Sequence, residues 1–266
     1  MISAISGRPR SAAVIVALAV ACALPAWLQA QAPKRLTIAA ASDLQTVLPN
    51  IVRDFERSAS ATVAVSYGSS GSFFALIQNG APFDAFLSAD VDYPTRLAAV
   101  GVADSSTMRV YATGHLVLWA RRDMKLDLSR GLVSLTDPRI RHVAVANPKY
   151  APYGRAAVAA LRLAGLYDTL QQKLVTGESL AQAAQLVESG NADVGVLSRS
   201  LVLGSTLKAE GTYVDIPTSF HPPIEQAAIV VRASREPALA RAFVAFLGRD
   251  DARRHLERFG FALPRR

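Results

Sequence analysis

Leu36-Thr-Ile-Ala-Ala-Ala-Ser42-Asp43-Leu44 joins an apolar run to the start of an amphipathic helix, and this junction is the clearest indication of the fold class. Residues 36–41 are typical of a buried strand. The next apolar side chains follow helical spacing: Leu44, Val47, Leu48, Ile51, Val52 and Phe55. A strand at 62–67, a Gly/Ser turn and a helix from Phe73 repeat the pattern. This alternation predicts an α/β fold with parallel, doubly wound sheets covered by helices on both faces.

The second half of the chain repeats this alternation after a β-rich run at 110–120, which is long enough to pass from one lobe to another. Strands are predicted at 142–146, 193–197 and 227–231, and helices at 154–164, 179–189, 238–247 and 251–258.

The first thirty residues have the pattern of a secretory signal peptide. Arg8 and Arg10 precede an uncharged apolar run at 12–24, and small residues lead to a cleavage point after Ala30. This predicts export to the periplasm. Two alternatives are a retained N-terminal anchor and lipid modification of Cys22, the only cysteine. Removal of residues 1–30 would also remove Cys22, so the mature protein would have no cysteine and no disulfide.

The charge pattern argues against nucleic-acid binding. Lys and Arg number 29 against 21 Asp and Glu, but the positive charges are scattered and form no basic stripe with interleaved aromatic residues. The excess favours a solvated surface with some attraction for anions.

Small hydroxyl residues stand at predicted helix starts, where backbone N–H groups and the helix dipole can hold an anion. Ser42 and Asp43 form the first such element, and Ser69 and Ser70, between two glycines, form the second. Either element alone is also an ordinary helix cap or Gly/Ser turn.

Two further helix starts have the same character. Asn147-Pro-Lys-Tyr-Ala-Pro-Tyr153-Gly154 links a strand to a helix rigidly, and Thr176-Gly-Glu-Ser179-Leu180 opens an Ala-rich helix with a capping pattern. Because strand ends in an α/β sheet collect such loops at one edge, four helix starts could share one cleft and hold a small oxyanion.

Features of an enzyme are weak. The four histidines are dispersed without metal-ligand spacing, and no Gly-x-Ser-x-Gly, His-Glu-x-x-His or Walker motif occurs. Ser69-Ser70 has no identifiable base. We therefore expect no catalytic residue, no direct metal ligand and no cofactor. A periplasmic phosphate-ester hydrolase is the alternative from a different class.

As an ordered set, five motifs resemble the periplasmic molybdate-binding proteins, the receptor subunits of ABC importers. They are Ala-Ala-Ala-Ser-Asp-Leu (39–44), Tyr-Gly-Ser-Ser-Gly-Ser (67–72), Asn-Gly-Ala-Pro-Phe-Asp-Ala-Phe-Leu-Ser-Ala-Asp (79–90), Ala-Asn-Pro-Lys-Tyr-Ala-Pro-Tyr-Gly-Arg-Ala-Ala (146–157) and Arg-Phe-Gly-Phe (258–261). The resemblance implies a type II periplasmic binding protein fold with two lobes, 34–115 plus 230–266 and 116–229. Two crossover strands, with candidates at 116–119 and 227–231, would join them.

The resemblance also implies the ligand and its partners. Molybdate, or tungstate, would bind between the lobes and pass to an ABC permease with its ATPase subunit, and the receptor would be a monomer. Molybdenum would enter only as molybdate. The alternative ligands are sulfate, phosphate and arsenate.

The implied ligand-binding residues follow from the motifs. Some members of the family carry a tyrosine where this chain has Ser198, whose hydroxyl is too short to reach equally far. The complete set is Ser42, Asp43, Ser70, Tyr153 and Leu180, with Ser69, Ser179 and Ser198 as further candidates.

Asp43 departs from members that have an asparagine at this position, because a carboxylate repels a dianion. Three interpretations remain open. Asp43 could cap the helix and point away, it could stay protonated, or it could bind a proton carried by the ligand.

Overall fold

The computed structural model describes residues 34–265, which belong to one compact unit. The predicted signal peptide, with Cys22, lies outside the described residues. Between residues 34 and 265, no helix is long and apolar enough to cross a membrane.

The described strands form two five-stranded sheets. The strands of the first sheet are β1 (Arg35–Ala41), β2 (Thr62–Gly68), β3 (Ala85–Ser88), β4 (Ala103–Gly114) and β10 (Ile224–Val231). Those of the second are β5 (Leu116–Arg121), β6 (Val143–Ala146), β7 (Leu174–Gly177), β8 (Val194–Ser198) and β9 (Gly211–Asp215).

The helices of the first-sheet half are α1 (Leu48–Ala59), α2 (Ser70–Gln78), α3 (Asp92–Ala99), α9 (Pro237–Phe246) and α10 (Asp250–Arg258). Those of the second-sheet half are α4 (Pro152–Leu163), α5 (Tyr167–Leu170), α6 (Leu180–Glu188), α7 (Arg199–Gly204) and α8 (Leu207–Glu210). The terms first-sheet half and second-sheet half refer to each sheet together with these helices.

The α/β class is confirmed, but both sheets are mixed rather than parallel. The orders are β2-β1-β3-β10-β4 and β7-β6-β8-β5-β9. In the first sheet, β1 is parallel to β2 and β3, whereas β10 is antiparallel to β3 and β4. In the second, β6 is parallel to β7 and β8, whereas β5 is antiparallel to β8 and β9. In each sheet, the strand that runs against its neighbours is the first strand after the chain enters that sheet from the other one: β10 in the first sheet and β5 in the second.

The first helix begins later than its apolar spacing predicts. Ser42–Leu44 forms a 3₁₀ turn, and the α-helix starts at Leu48 with a proline in its first turn. Proline is favoured there because its missing N–H has no intrahelical acceptor. The predicted apolar face is buried, with Leu48, Ile51 and Phe55 on the first sheet.

The chain passes between the sheets at two places. It leaves the first sheet at His115, between β4 and β5, so the predicted single run at 110–120 is two strands. It returns between Asp215 and Ile224. All of β10 pairs within the first sheet, which therefore takes up the chain six residues before the predicted boundary at 230. Neither 116–119 nor 227–231 lies at a crossing, because both segments are already hydrogen-bonded within a sheet.

The first sheet is covered on both faces, as the sequence predicts. One apolar cluster contains residues of α1, α9 and α10, and another contains residues of α2 and α3. The second-sheet half has its own core around Trp119 and the Ala-rich faces of α4 and α6. Burial of apolar side chains on both faces fixes the strand ends from which the loops of the site emerge.

Candidate anion-binding site

Four helix starts meet at one small cavity between the two halves. The first-sheet half contributes the 3₁₀ turn after β1 and the start of α2, and the second-sheet half contributes the starts of α4 and α6. The lining residues include six of the predicted set: Ser42, Asp43, Ser69, Ser70, Tyr153 and Leu180. Two others line no part of it. Ser198 is buried and caps α7 through Leu201 N at 3.2 Å, and Ser179 caps α6 through Gln182 N at 3.2 Å.

The two hydroxyls of the first-sheet half are held by backbone donors. Ser42 Oγ accepts from Ala181 N of α6 at 3.3 Å, so this bond links the two halves. Ser70 Oγ is fully buried and accepts from Ala89 N at 3.0 Å, just beyond β3. Because each oxygen already accepts a bond, its own proton is free to be donated to a ligand.

The helix starts supply backbone donors. Ser70 and Leu180 are the first residues of α2 and α6, and Tyr153 is the second residue of α4. N–H groups in the first turn have no intrahelical acceptor, and the helix dipole gives that end partial positive charge. The arrangement therefore offers neutral donors from several directions.

No lysine, arginine or histidine belongs to the described residues that line the cavity. The described part of the chain also has no group of three His, Cys, Asp or Glu side chains that could hold a metal ion. The space is small, about 10 Å³ for the centre of a water-sized sphere. These features fit a compact anion held by hydrogen bonds.

The Asp43 side chain belongs to a buried polar network beside the cavity. Gln226 on β10 donates to Asp43 Oδ2 and, at 3.2 Å, to the Tyr153 hydroxyl. The Gln226 carbonyl oxygen accepts from the Tyr111 hydroxyl at 2.8 Å. Burial raises the pKa of Asp43 to about 6, although the hydrogen bond from Gln226 and the nearby Tyr153 hydroxyl act to lower it. The other carboxylate oxygen, Asp43 Oδ1, is buried without a hydrogen-bond partner.

The capping interpretation of Asp43 is wrong. The N-cap of α1 is Val47, and neither α1 nor the 3₁₀ turn has a side-chain cap. The three-residue turn displaces the helix start, so the Asp43 side chain faces Gln226 instead. Two interpretations remain, and both involve a proton.

Further contacts join the halves around the cavity. Gly71 N donates to the Tyr150 carbonyl at 2.8 Å. On the same side Arg155 pairs with Asp90 and donates to the Tyr93 hydroxyl at 3.2 Å. The Ser200 hydroxyl donates to the Asp43 carbonyl oxygen at 2.9 Å. The two halves are therefore joined by direct contacts that involve several of the elements around the cavity.

Sequence reasoning missed Gln226, Tyr111 and the Arg155–Asp90 pair. Gln226 carried a signal, since this amide directly precedes the apolar run Ala227–Val231. In the structure its side chain is completely buried. The ion pair carried none, because its partners are 65 residues apart.

Comparison with known proteins gives consistent relationships. A family model described as bacterial extracellular solute-binding protein matches residues 36–262. The molybdate-binding protein ModA of Rhodobacter capsulatus is 36% identical over 252 residues, covering 95% of this chain and 96% of that protein. ModA of Azotobacter vinelandii is 35% identical over 226 residues, covering 85% of this chain and 89% of that protein.

A solved structure agrees with these sequence matches. The periplasmic molybdate-binding protein of Azotobacter vinelandii superimposes with a TM-score of 0.81 at 32% identity, covering 86% of this chain and all 100% of that one. By name, these relatives are binding proteins. The chain therefore belongs to the bacterial extracellular solute-binding protein family, in which it is related to the ModA molybdate-binding proteins.

Proposed function

We propose that this protein binds molybdate, and tungstate as its close analogue, in the cavity between its two halves. The observation that carries the proposal is the meeting of four helix starts, two from each half, at a small cavity whose described lining residues include no cationic side chain. A desolvated dianion needs a donor for each oxygen, and hydroxyl and first-turn N–H groups provide them. The relatives named for molybdate binding support the choice of ion.

In this proposal, the two halves are lobes, and the ligand-binding residues are Ser42, Asp43, Ser70, Tyr153 and Leu180, with Ser69 at the margin. The lobes separate to admit the ion and meet around it, which is hinge closure of the kind that ligands stabilise in two-lobed proteins. The contacts of Gly71 with Tyr150 and of Arg155 with Asp90 would form on closure. No covalent chemistry is involved, so the protein acts as a receptor and not as an enzyme.

The receptor would act outside the cytoplasm and deliver the ion to a membrane permease driven by an ATPase subunit. Its predicted signal peptide would direct it to the periplasm, where it would function as a monomer. N-terminal sequencing of protein purified from a periplasmic extract tests the cleavage after Ala30. Mass spectrometry of the same sample tests lipid attachment at Cys22.

Calorimetric titration with molybdate, tungstate, sulfate and phosphate tests the binding function. We expect saturable binding of molybdate and tungstate with one site. Ser42→Ala and Ser70→Ala each remove a donor and should weaken binding about 10- to 100-fold, equivalent to about 1.5–3 kcal/mol for a bond to a charged group. Ser58→Ala is the matched control, because Ser58 is exposed on α1 and bonds only the Phe55 carbonyl at 2.8 Å.

The same titrations separate the alternatives. Stronger binding of sulfate or phosphate, or of arsenate in an additional titration, would keep the receptor function and change its ligand. Turnover of a chromogenic phosphate ester would favour a hydrolase. If the titrations show no heat of binding for any of the anions, the proposal is overturned.

A further inference from the structure

Asp43 is the one acidic residue among the described residues that line the cavity, and its carboxyl group is buried. The residue is 1% exposed. Oδ2 accepts from Gln226, whereas Oδ1 has no partner. A buried acceptor without a donor is costly, so this atom calls for a proton or a ligand.

An ionised Asp43 is incompatible with a neighbouring dianion. Two like charges within a few ångströms repel strongly in a desolvated site. Two carboxylates that share such a site resolve the conflict by keeping one proton between them, and a carboxylate beside an oxyanion is the same case. A protonated Oδ1 would also convert the unpartnered acceptor into a donor.

We infer that Asp43 holds a proton when the anion is bound and donates it in a hydrogen bond from Oδ1 to an anion oxygen. This inference rests on the proposed function of the same cavity. One proton moves from solvent to Oδ1, and no bond to the central atom of the anion forms or breaks. Binding is therefore coupled to the uptake of one proton, and Asp43 makes affinity depend on pH.

Three tyrosines on the elements around Asp43 are also titratable, but they are neutral. Burial raises the pKa of Tyr111 on β4 and of Tyr153 on α4 well above 10, with the Asp43 charge adding to it. Burial raises the pKa of Tyr67 on β2 to about 12. None of them changes charge near neutral pH.

The charged residues on the surrounding elements have other partners or positions. Arg155 of α4 pairs with Asp90, and Arg199 of α7 pairs with Asp215. Glu188 is the last residue of α6, opposite the end that lines the cavity. Glu225, beside Gln226 on β10, is exposed. Among the described residues, Asp43 thus has no permanent counter-ion, and a proton is the charge that can neutralise it.

The pKa of Asp43, raised by burial to about 6, fits this role. At pH 7 Asp43 of the empty site is mostly ionised, and because only its protonated form binds the anion, the apparent affinity is about tenfold lower than that of the protonated form, with a further factor of about ten for each pH unit above pH 7. Below about pH 6 this dependence should level off.

The test is calorimetric titration with molybdate at pH 7 in buffers of different ionisation enthalpy, which measures protons taken up per ion bound. We expect about 0.9 proton per ion for the unaltered protein, the ionised fraction of a group with pKa near 6. In Asp43→Asn an amide donor takes the position of the protonated oxygen. Proton uptake should fall to about zero, and affinity should exceed that of the unaltered protein by about tenfold at pH 7.

Two variants complete the design. Asp90→Asn replaces the other carboxyl near the cavity, whose pKa is also raised by burial, and Asp104→Asn replaces a carboxyl that pairs with Arg241 and does not line the cavity. Both should retain the proton uptake. Molybdate binding without proton uptake, or uptake abolished by Asp90→Asn and retained in Asp43→Asn, would overturn the inference and leave the binding function intact. Absence of binding to all four anions would instead overturn the binding function.

Discussion

The backbone N–H of Gly71, in the first turn of α2, donates to the carbonyl oxygen of Tyr150 across the cleft at 2.8 Å. The two residues belong to different halves of the molecule. A Cβ at position 71 would stand 2.6 Å from the Tyr93 hydroxyl and 2.8 Å from the Tyr150 carbonyl oxygen. The absence of a side chain is therefore what allows the halves to approach here.

Gly71→Ala should weaken molybdate binding, because the added methyl group opposes closure of the cleft. Overpacking of this kind costs about 1–3 kcal/mol, which corresponds to about a 5- to 150-fold loss of affinity. Calorimetry measures the loss, and chemical denaturation checks that the fold is retained. Leu76→Ala is the control, since Leu76 is 50% exposed on the same helix. Equal affinity of Gly71→Ala and the unaltered protein would show that this contact is not needed in the bound state.

Arg155→Gln should speed release of the ion. Arg155 pairs with Asp90, and its guanidinium also lies 5.4 Å from the centre of the Tyr93 ring. The pair is partly exposed, so we expect about 1 kcal/mol at most and a dissociation rate up to about fivefold higher. Stopped-flow exchange of bound molybdate measures this rate. Arg162→Gln, on the same helix but stacked on Tyr167, should leave it unchanged.

Asp43→Asn should also change the pH dependence of stability. The folded pKa of Asp43, about 6, lies above its ordinary value of 3.8, so the folded protein binds the proton more tightly than the unfolded chain. Its contribution to stability is therefore fully present below about pH 4 and is lost as the pH rises through 6. The loss is roughly 3 kcal/mol, from about two pKa units. The variant should thus gain stability relative to the unaltered protein as the pH rises from 4 to 7.

Urea denaturation at several pH values measures this difference. Asp104→Asn provides the contrast, because hydrogen bonds from Ser106 and Arg241 hold the pKa of Asp104 at about 2. That group is ionised in both states above pH 4, so its substitution should produce no pH dependence over the same window. A parallel response of the two variants would contradict the role of burial at Asp43.

Trp119 fluorescence should be nearly insensitive to molybdate. Trp119 belongs to the crossover candidate at 116–119, but its side chain is fully buried on β5, which lies between β8 and β9 in the second sheet. Its indole N–H donates to the Leu207 carbonyl at 2.9 Å, within one half of the molecule. Rotation of one half against the other leaves these contacts unchanged. A large emission change in protein lacking residues 1–30 would mean that the second-sheet half itself rearranges.

The sequence predicts the α/β class and the four helix starts because both depend on local patterns. Apolar spacing identifies the buried face of α1, and small hydroxyl residues mark the start of α2 and the cap of α6. The bounds of α2 and α6 are close to those predicted. Local pattern is least reliable where two elements follow each other without a turn signal, as at His115, where two apolar strands read as one.

Contacts between residues distant in the chain account for what could not be predicted. The orientation of β10 follows from pairing with β3 and β4, not from its own residues. The environment of Asp43 depends on Gln226, 183 residues away. Similarly, the role of Ser198 depends on where its strand ends. Some members of the family carry a tyrosine at the position of Ser198, whereas the Ser198 hydroxyl of this chain caps the start of α7.

Different groups attract the ion and retain it: charges on the protein surface attract it, and neutral donors in the cavity retain it. Lys and Arg exceed Asp and Glu by eight in the chain, yet no cationic side chain is among the described residues around the cavity. Distant surface charge speeds encounter and is screened by salt, whereas buried dipoles are screened little. Rising ionic strength should therefore slow capture of the ion more than it shortens the residence time of the bound ion.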